Sequence, residues 1–385
     1  MFKRLIEKSL LEAINRFPVT VLTGPRQSGK TTLLKYLLED YVYISLESPD
    51  KLLSVKSDPR GFLTRHHQGL IIDEAQNYPE LFSYIQEIVD EYKDSHIVLS
   101  GSQNFLMAEK ISQTLAGRAA IFELLPLTYQ EYLSNPSLTP IQDLWHYLFN
   151  GSYPRPYQEN LPINLWYDSY IKTYIERDVR SLIQIKDLSQ FQLFLKFCAG
   201  QHGQEFNATA IANNIGVSQT TVMHWLSILE ASYIIFRLKP FYKNYKKRLT
   251  KRCKLYFYDT AIVCHLLGID SPAHLMIHSS RGAIFEGFII SEIIKNTVAK
   301  GNTPQCYYWR EHSGFEVDLL IEQGKELKAI EIKSSMTLNE QHQKGLNHLI
   351  KVIKDDAIIT PLIIYAGNET QYLGQIKVVS WKDLA

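Results

Sequence analysis

The order of hydrophobic and polar residues predicts alternating strands and helices in the first third of the chain. Five short apolar runs are typical of buried strands. They lie at 19–24, 41–47, 70–76, 96–102 and 119–124. Between them, TTLLKYLLED (31–40) and LFSYIQEIVDEY (81–92) repeat apolar residues at helical spacing. Strands that alternate with helices indicate a parallel sheet covered by helices on both faces, so the expected fold class is α/β.

Residues 206–241 predict two helices, a tight turn and a strand. Ala208–Ile215 has the pattern of a short helix, Gly216 permits the turn, and Ser218 is placed to cap the second helix. The apolar segment YIIFRL then predicts a strand that begins a wing. This order is typical of a winged helix-turn-helix.

The second of these helices exposes Gln219, Thr220 and His224, which can bond to bases or phosphates. It carries no arginine or lysine on that face, so the helix alone is a weak reader of DNA. A module that contacts only protein stays an equal alternative.

Two segments near the C-terminus, FEVDLLIE and ELKAIEIK, predict a β-hairpin. A two-residue turn at Gly324-Lys325 suits type II′ and sets Asp318 opposite Glu331, and Glu316 opposite Lys333. Like charges so placed are destabilising unless a cation lies between them or one carboxylate holds a proton. Hard oxygen ligands at this spacing suit Mg²⁺ or Mn²⁺. A charged sheet edge is the alternative.

Composition narrows the class of protein. A chain of 385 residues with 45% apolar content predicts two or three domains with real cores. The four cysteines are scattered without a C-x-x-C pair, which suits a reducing cytosol. No apolar run is long enough to span a membrane, and the N-terminus lacks the apolar core of a signal peptide. A cytoplasmic protein is expected.

A local basic patch stands out against the net charge of +1. The segment KNYKKRLTKRCK places seven basic residues within twelve positions. They are Lys243, Lys246, Lys247, Arg248, Lys251, Arg252 and Lys254. Beside a winged helix such a patch favours contact with the phosphates of DNA. A solvated loop is the alternative.

The stretch GPRQSGKT lies between the first predicted strand and the first helix, where a phosphate-binding loop belongs. Its glycines let backbone N–H groups wrap a phosphate, and the helix N-terminus adds a favourable partial charge. Lys30 can reach the β- and γ-phosphates of ATP, and the Thr31 hydroxyl can ligate Mg²⁺. The residues expected to contact nucleotide are Gly24, Pro25, Arg26, Gln27, Ser28, Gly29, Lys30, Thr31 and Thr32.

Asp73 and Glu74 follow the apolar run LII, at the carboxyl end of a predicted strand. Ligands bind at such ends in parallel sheets. Asp73 is expected to hold Mg²⁺ through water, and Glu74 to polarise the water that attacks the γ-phosphate. A helix cap is the alternative for an Asp-Glu pair that stands alone.

This region resembles the AAA-type ATPases, with GPRQSGKT as Walker A and LIIDE as Walker B. The resemblance implies a polar sensor after the fourth strand, which is Ser102, or Ser100 as the second choice. Arg118 resembles an arginine of one bacterial and archaeal branch that neutralises γ-phosphate charge, in cis or across a subunit interface. An exposed surface arginine is the alternative. AAA-type modules often form rings, so a homo-oligomer is a further expectation.

The hairpin is similar to the core of restriction-endonuclease-like proteins. That resemblance implies that Asp318 and Glu331 hold a metal ion and that Lys333 orients water or stabilises developing charge. Glu286, on the inward side of RGAIFEGFIISEIIKNT, matches the helix acid of the same fold. An inactive copy of the core is the alternative.

About residues 15–335 resemble a large prokaryotic family in which a C-terminal domain of unknown function follows an AAA-type P-loop domain. Where that family often has Asp-Thr-Gly-Leu, this chain has Asp259-Thr260-Ala261-Ile262, and Asp259 is expected to be structural or close to a metal. The expected division is an ATPase domain (1–135), a helical lid or linker (136–190), a winged helix (191–242) and an endonuclease-like domain (243–385).

The leading hypothesis is a Mg²⁺-dependent ATPase whose nucleotide state governs the winged-helix and nuclease-like half, on DNA. A low-turnover nucleotide switch that acts through protein partners is the second hypothesis. An ATP-gated, metal-dependent DNA nuclease is the third.

Overall fold

A computed structural model describes residues 1–102, 114–136, 138, 143–174, 188–242, 252–353 and 357–384. The first part alternates helices and strands. They are α1 (Glu7–Arg16), β1 (Val19–Thr23), α2 (Lys30–Leu37), β2 (Val42–Ser45), α3 (Pro49–Ser57), α4 (Pro59–His66), β3 (Leu70–Asp73), α5 (Leu81–Glu91), β4 (Ile97–Gly101) and β5 (Ala119–Glu123).

The five strands form one sheet in the order β2-β3-β4-β1-β5, and every neighbouring pair is parallel. Val21, Leu70 and Leu99 are fully buried within it. Because the strands are parallel, all their carboxyl ends meet at one edge, with β1 between β4 and β5. The predicted α/β class and parallel sheet are confirmed.

Short aromatic helices follow the sheet. They are α6 (Tyr129–Leu133), α7 (Leu144–Asn150), α8 (Pro154–Gln158) and α9 (Ile163–Tyr170). Tyr153, Trp166 and Tyr167 pack into the largest core cluster. The Tyr170 hydroxyl donates to the carbonyl oxygen of Arg26 at 3.3 Å. This helical segment therefore contacts the tip of the predicted phosphate loop.

The next elements are α10 (Leu188–Gly200), α11 (Ala208–Ile215), α12 (Gln219–Ala231), β6 (Ile235–Pro240) and β7 (Lys254–Phe257). Gly216 adopts the left-handed conformation between α11 and α12, with φ of 72° and ψ of 35°. Ser218 caps α12 by accepting a hydrogen bond from the Thr221 N–H at 3.0 Å. The predicted helices and turn are present, and their classification as a winged helix stays a prediction.

The C-terminal part contains α13 (Thr260–Leu266), α14 (Pro272–Ile277), α15 (Arg281–Ala299), β8 (Cys306–Arg310), β9 (Glu316–Gln323), β10 (Glu326–Lys333), α16 (Lys344–Ile353), β11 (Ile358–Tyr365), β12 (Gln371–Leu373) and β13 (Ile376–Ser380). An eight-stranded mixed sheet has the order β12-β13-β11-β10-β9-β8-β6-β7. Strand β6 pairs antiparallel with β7 and parallel with β8. The expected boundary between 242 and 243 therefore falls between neighbouring strands of one sheet.

Among the described helices, none has the length and the hydrophobicity needed to cross a membrane. The four cysteines, Cys198, Cys253, Cys264 and Cys306, are free thiols.

Candidate functional site

The segment from Gly24 to Gly29 connects β1 to α2 in an unusual backbone conformation. Gly24, Gln27 and Gly29 have positive φ angles of 146°, 67° and 96°. A Cβ atom on Gly24 would lie 2.2 Å from the carbonyl oxygen of Leu124, at the end of β5. Only glycine allows this approach. Position 24 therefore requires glycine for two reasons, its positive φ angle and its close packing against Leu124.

Lys30, the first residue of α2, folds back across this loop. Its ammonium donates to the carbonyl oxygens of Gly24 and Pro25 at 2.8 and 2.9 Å. Burial lowers the pKa of Lys30 to about 8, against the opposing effect of the Glu74 and Asp73 charges. The amine is thus held inside the loop, where phosphate oxygens would be stronger acceptors than carbonyl groups.

Asp73 ends β3 beside the loop and is the centre of a hydroxyl network. Its Oδ2 accepts from Thr31 Oγ1 at 2.7 Å and from the Tyr43 hydroxyl at 2.8 Å. Its Oδ1 accepts from Ser100 Oγ at 2.6 Å. The carboxylate and the Thr31 hydroxyl are adjacent hard oxygen donors. Mg²⁺ in phosphate-binding sites is usually held by one or two such groups together with phosphate and water, so these residues fit that ion.

Glu74 follows in the left-handed conformation, with φ of 52° and ψ of 46°. Such a backbone is uncommon for a glutamate and is concentrated at functional sites. Glu74 Oε2 accepts from Ser102 Oγ at 3.4 Å and from the Gln76 side-chain amide. The two serines considered as sensors therefore have different contacts, Ser100 with Asp73 and Ser102 with Glu74.

The remaining loop residues take different positions. Ser28 is buried, whereas Thr32 is exposed. Arg26 is 42% exposed, with its guanidinium 3.7 Å from Glu47 and 5.9 Å from the centroid of the Tyr174 ring. Arg26 thus lies on the side of the loop that faces the aromatic helices.

Arg4 is a buried cation behind the loop that the sequence analysis missed. Its Nη1 donates to the Ser28 carbonyl oxygen at 2.8 Å, and its Nη2 donates to that of Leu125 at 2.6 Å. Its Nε lies 3.1 Å from Glu131 Oε1. No local pattern in MFKRL distinguishes this residue from the neighbouring Lys3, because its partners are far along the chain.

The expectation that Arg118 neutralises γ-phosphate charge in cis is wrong. Arg118 precedes β5, and its carbonyl accepts from Val19 N–H at the start of β1. The loop follows the other end of β1, so the length of the strand separates the two. The Arg118 guanidinium bonds to Asp90 at 2.8 Å on the protein surface. This position fits the alternative of a surface arginine, and contact with a neighbouring subunit's loop stays a prediction.

In the C-terminal sheet, the predicted hairpin register is confirmed. Strands β9 and β10 pair Gln323 with Glu326 and Leu319 with Ile330, the register that a two-residue turn predicts. Asp318 and Glu331 are the next residues along the two strands, one position beyond the paired part. Gly324 has φ of 65°, as the first position of a type II′ turn requires.

Asp318 lies where β9 is irregular. The pairing of β8 with β9 shifts by one residue between Tyr307 and Trp309, so β9 carries an extra residue. Such bulges re-aim side chains. Asp318 Oδ2 accepts from the Ile332 N–H at 2.7 Å. The carboxylate is thereby fixed beside the neighbouring strand.

The cation between the two opposed carboxylates is Lys333. Its ammonium lies 2.5 Å from Glu331 Oε1 and 4.0 Å from Asp318 Oδ2. Burial and the Asp318 charge raise the pKa of Glu331 to about 8. The protein therefore places a lysine beside the two like charges, and burial favours the protonated form of Glu331. Among the described residues, no three His, Cys, Asp or Glu side chains are grouped to hold a metal ion.

Lys254, expected in an exposed basic patch, is instead buried among acids. Its ammonium lies 3.0 Å from Glu286 and 2.5 Å from Glu316. Burial alone lowers the pKa of Lys254, but the nearby carboxylates outweigh it and raise the pKa above its usual value. Burial and the Asp318 charge raise the pKa of Glu286 to about 7. Glu286 is thus brought to the hairpin, as the sequence predicts.

The rest of the basic patch, residues 243–251, lies outside the described part of the chain. Arg252, beside it, lines a polar cleft together with Tyr242, Tyr308 and Arg310.

Asp259 has a structural role. It caps α13 by accepting a hydrogen bond from the Ile262 N–H at 3.1 Å, and it also accepts one from Ser152 Oγ at 2.8 Å.

Three family models match consecutive parts of the chain. Residues 16–133 match an AAA domain, residues 141–273 match a domain of unknown function (DUF8612), and residues 281–384 match another domain of unknown function (DUF4143).

Two uncharacterised proteins are similar along most of the chain. One, from Mycobacterium tuberculosis, is 30% identical over 332 residues, which cover 85% of this chain and 73% of that protein. The other, from Methanocaldococcus jannaschii, is 23% identical over 379 residues, which cover 90% of this chain and 82% of that protein.

Two solved structures show weaker similarity. A Walker-type ATPase of Pyrococcus abyssi has a TM-score of 0.46 and 16% identity, over 70% of this chain and 96% of that chain. AMPPCP-bound DnaA from Aquifex aeolicus has a TM-score of 0.32 and 16% identity, over 59% of this chain and 86% of that chain.

Proposed function

Because the chain belongs to one family with the Mycobacterium tuberculosis protein and carries an AAA domain, we propose that it binds ATP with Mg²⁺ and hydrolyses the γ-phosphate. One observation carries the proposal. The carboxylate of Asp73 is bonded to Thr31 and Ser100 beside a loop that encloses the Lys30 ammonium. These charged, hydroxyl and backbone groups are of the kinds that bind a triphosphate and its Mg²⁺.

Each group has a definite part in the proposed reaction. Backbone N–H groups from Arg26 to Thr32 bind the phosphates, and Lys30 neutralises the β- and γ-oxygens. Thr31 and Asp73 would hold Mg²⁺, which when bound offsets phosphate charge. Glu74 accepts a proton from the attacking water, and the Ser102 hydroxyl orients the Glu74 carboxylate.

Two features support parts of this proposal outside the loop. The exposed face of α12 and the polar cleft at Arg252 are the surfaces that a nucleic acid would contact, although Glu205 and Glu311 line the same cleft. Arg118 completes a γ-phosphate site only if copies of the chain assemble with this surface against a neighbour's loop. We therefore propose a homo-oligomer on DNA, and a nucleotide switch with protein partners as the competing assignment.

The test compares the wild-type protein with Lys30→Ala. We expect wild-type to bind ATP in the presence of Mg²⁺ and to release phosphate, and Lys30→Ala to do neither. Lys8→Ala, at an exposed position of α1, serves as the control and should behave as wild-type. Calorimetric titration measures binding, and a phosphate-release assay measures turnover. A wild-type protein that binds no ATP contradicts the proposal.

A metal-dependent DNA nuclease is the second candidate function. Asp318, Lys333 and Glu286 all lie at the hairpin with Glu331, which favours it. Against it, no three acids of the described residues are grouped to hold a metal ion, and Lys254 and Lys333 already neutralise these carboxylates. The test incubates DNA with Mg²⁺ or Mn²⁺, with and without ATP. Cleavage that Asp318→Asn abolishes while ATP turnover persists would support it. Absence of cleavage by the wild-type protein under all these conditions rejects it.

A further inference from the structure

Tyr233, directly after α12, reaches from the helix-turn-helix into the parallel sheet. Its side chain is buried, with 4% of its surface exposed. Its hydroxyl lies 2.7 Å from Thr23 Oγ1 and donates to Glu123 Oε1 at 3.1 Å. The Thr23 hydroxyl also lies 3.2 Å from the Phe122 carbonyl oxygen, so its one proton has two acceptors within reach, this carbonyl and the Tyr233 oxygen. One tyrosine hydroxyl thus joins two strands of the other half of the molecule.

The two partners of Tyr233 lie at the start of the phosphate loop. Thr23 and Glu123 are paired final residues of β1 and β5. Thr23 is followed at once by Gly24, whose Cα packs against the Leu124 carbonyl. The Leu124 N–H donates to the Thr23 carbonyl at 2.8 Å. Since these groups are in tight contact, the positions of Thr23 and Glu123 set the position from which the loop leaves the sheet.

The backbone of Tyr233 is held in an uncommon conformation. Its φ is 58°, in a region that residues with bulky side chains seldom adopt. The Tyr233 N–H donates to the Glu230 carbonyl, and the Ile234 N–H donates to the Leu229 carbonyl, both at 3.0 Å. The end of α12 therefore fixes this conformation. A glycine or asparagine would adopt this backbone conformation more easily. The contacts of the side chain therefore explain why a tyrosine is found here.

We propose that Tyr233 is a positioning residue that fixes the base of the phosphate loop from the helix-turn-helix side, so that ATP binding and the end of α12 are coupled. The inference rests on the proposed ATP-binding function. The coupling runs through two hydrogen bonds and no mobile segment. When bound nucleotide holds the loop more rigidly, the backbone amides of Leu229–Ile235 should also exchange their hydrogens at a different rate.

The test compares Tyr233→Phe with Tyr147→Phe. Tyr147 is a buried tyrosine whose hydroxyl has no hydrogen-bond partner in the described part of the protein. We expect Tyr233→Phe to weaken ATP binding about 3- to 10-fold, the equivalent of one hydrogen bond, and Tyr147→Phe to leave the Kd unchanged. Calorimetric titration with ATP and Mg²⁺ measures the Kd. Hydrogen exchange of Leu229–Ile235 should respond to ATP in wild-type but not in Tyr233→Phe.

Thr23→Val removes the same contact from the other side. If the hydroxyl pair carries the effect, the double variant Tyr233→Phe/Thr23→Val binds ATP no more weakly than the weaker single variant. Additive losses overturn the inference.

The outcomes separate the two proposals. If wild-type binds ATP and Tyr233→Phe binds it equally well, with only a lower melting temperature, Tyr233 is merely structural and the inference falls alone. If wild-type binds no ATP, the proposed function and the inference fall together.

Discussion

Gly24→Ala tests the geometry at the start of the phosphate loop. At this position φ is 146°, and the added Cβ would lie 2.2 Å from the Leu124 carbonyl oxygen. The positive φ costs an alanine about 1–2 kcal/mol. Displacing a backbone carbonyl adds about 1–3 kcal/mol, as overpacking does in cores. We therefore expect the free energy of unfolding to fall by about 2–5 kcal/mol and ATP binding to weaken, because the loop must shift to relieve the contact.

Gly117→Ala is the matched control. Its φ is 75°, and nothing lies within 4 Å of the added Cβ. An alanine at this position therefore has the strain of a positive φ but no steric clash. Urea unfolding measures the free energy of each variant, and the rise in melting temperature with ATP and Mg²⁺ reports binding. Equal destabilisation by the two substitutions, together with ATP binding that Gly24→Ala leaves intact, would refute the reasoning.

Three further predictions concern the same site. Glu74→Gln removes the proposed base, so phosphate release should fall about 10²- to 10⁴-fold while the ATP Kd from titration changes little. Because burial lowers the pKa of Lys30 to about 8, ATP affinity measured across pH should fall above that value as the amine becomes neutral. Between about 8 and the ordinary lysine value of 10.5, the unfolded chain binds more protons, so the nucleotide-free protein should gain stability as pH rises. Arg4→Ala leaves Glu131 buried without its cation and should cost about 3–5 kcal/mol in urea unfolding, whereas exposed Lys3→Ala should cost under about 0.5 kcal/mol.

The sequence predicted those features of the molecule that depend on residues close together in the chain. The phosphate loop follows from glycine spacing between an apolar strand and a helix. The position of Asp73 follows from the end of an apolar run. The β9–β10 register follows from a two-residue turn, which sets Leu319 opposite Ile330. In each case the determining residues are neighbours along the chain or across one short turn.

Long-range contacts explain what the sequence did not predict. Arg4 meets Leu125, and Tyr233 meets Thr23, across separations of 121 and 210 residues. Lys254 belongs to a basic run in the sequence, but its strand carries it inward to Glu286, 32 residues on. Arg118 was placed by resemblance to a motif, and only the direction of β5 shows that it lies at the wrong end of the sheet for its own loop.

Strand β6 has a practical consequence for anyone who divides this protein into fragments. Its backbone is bonded to β7 on one side and to β8 on the other. A fragment that stops at residue 242 would strip both neighbours from β6 and present two bare strand edges to solvent, a surface prone to aggregation. The roles of the two halves are therefore best separated by single substitutions in the intact chain.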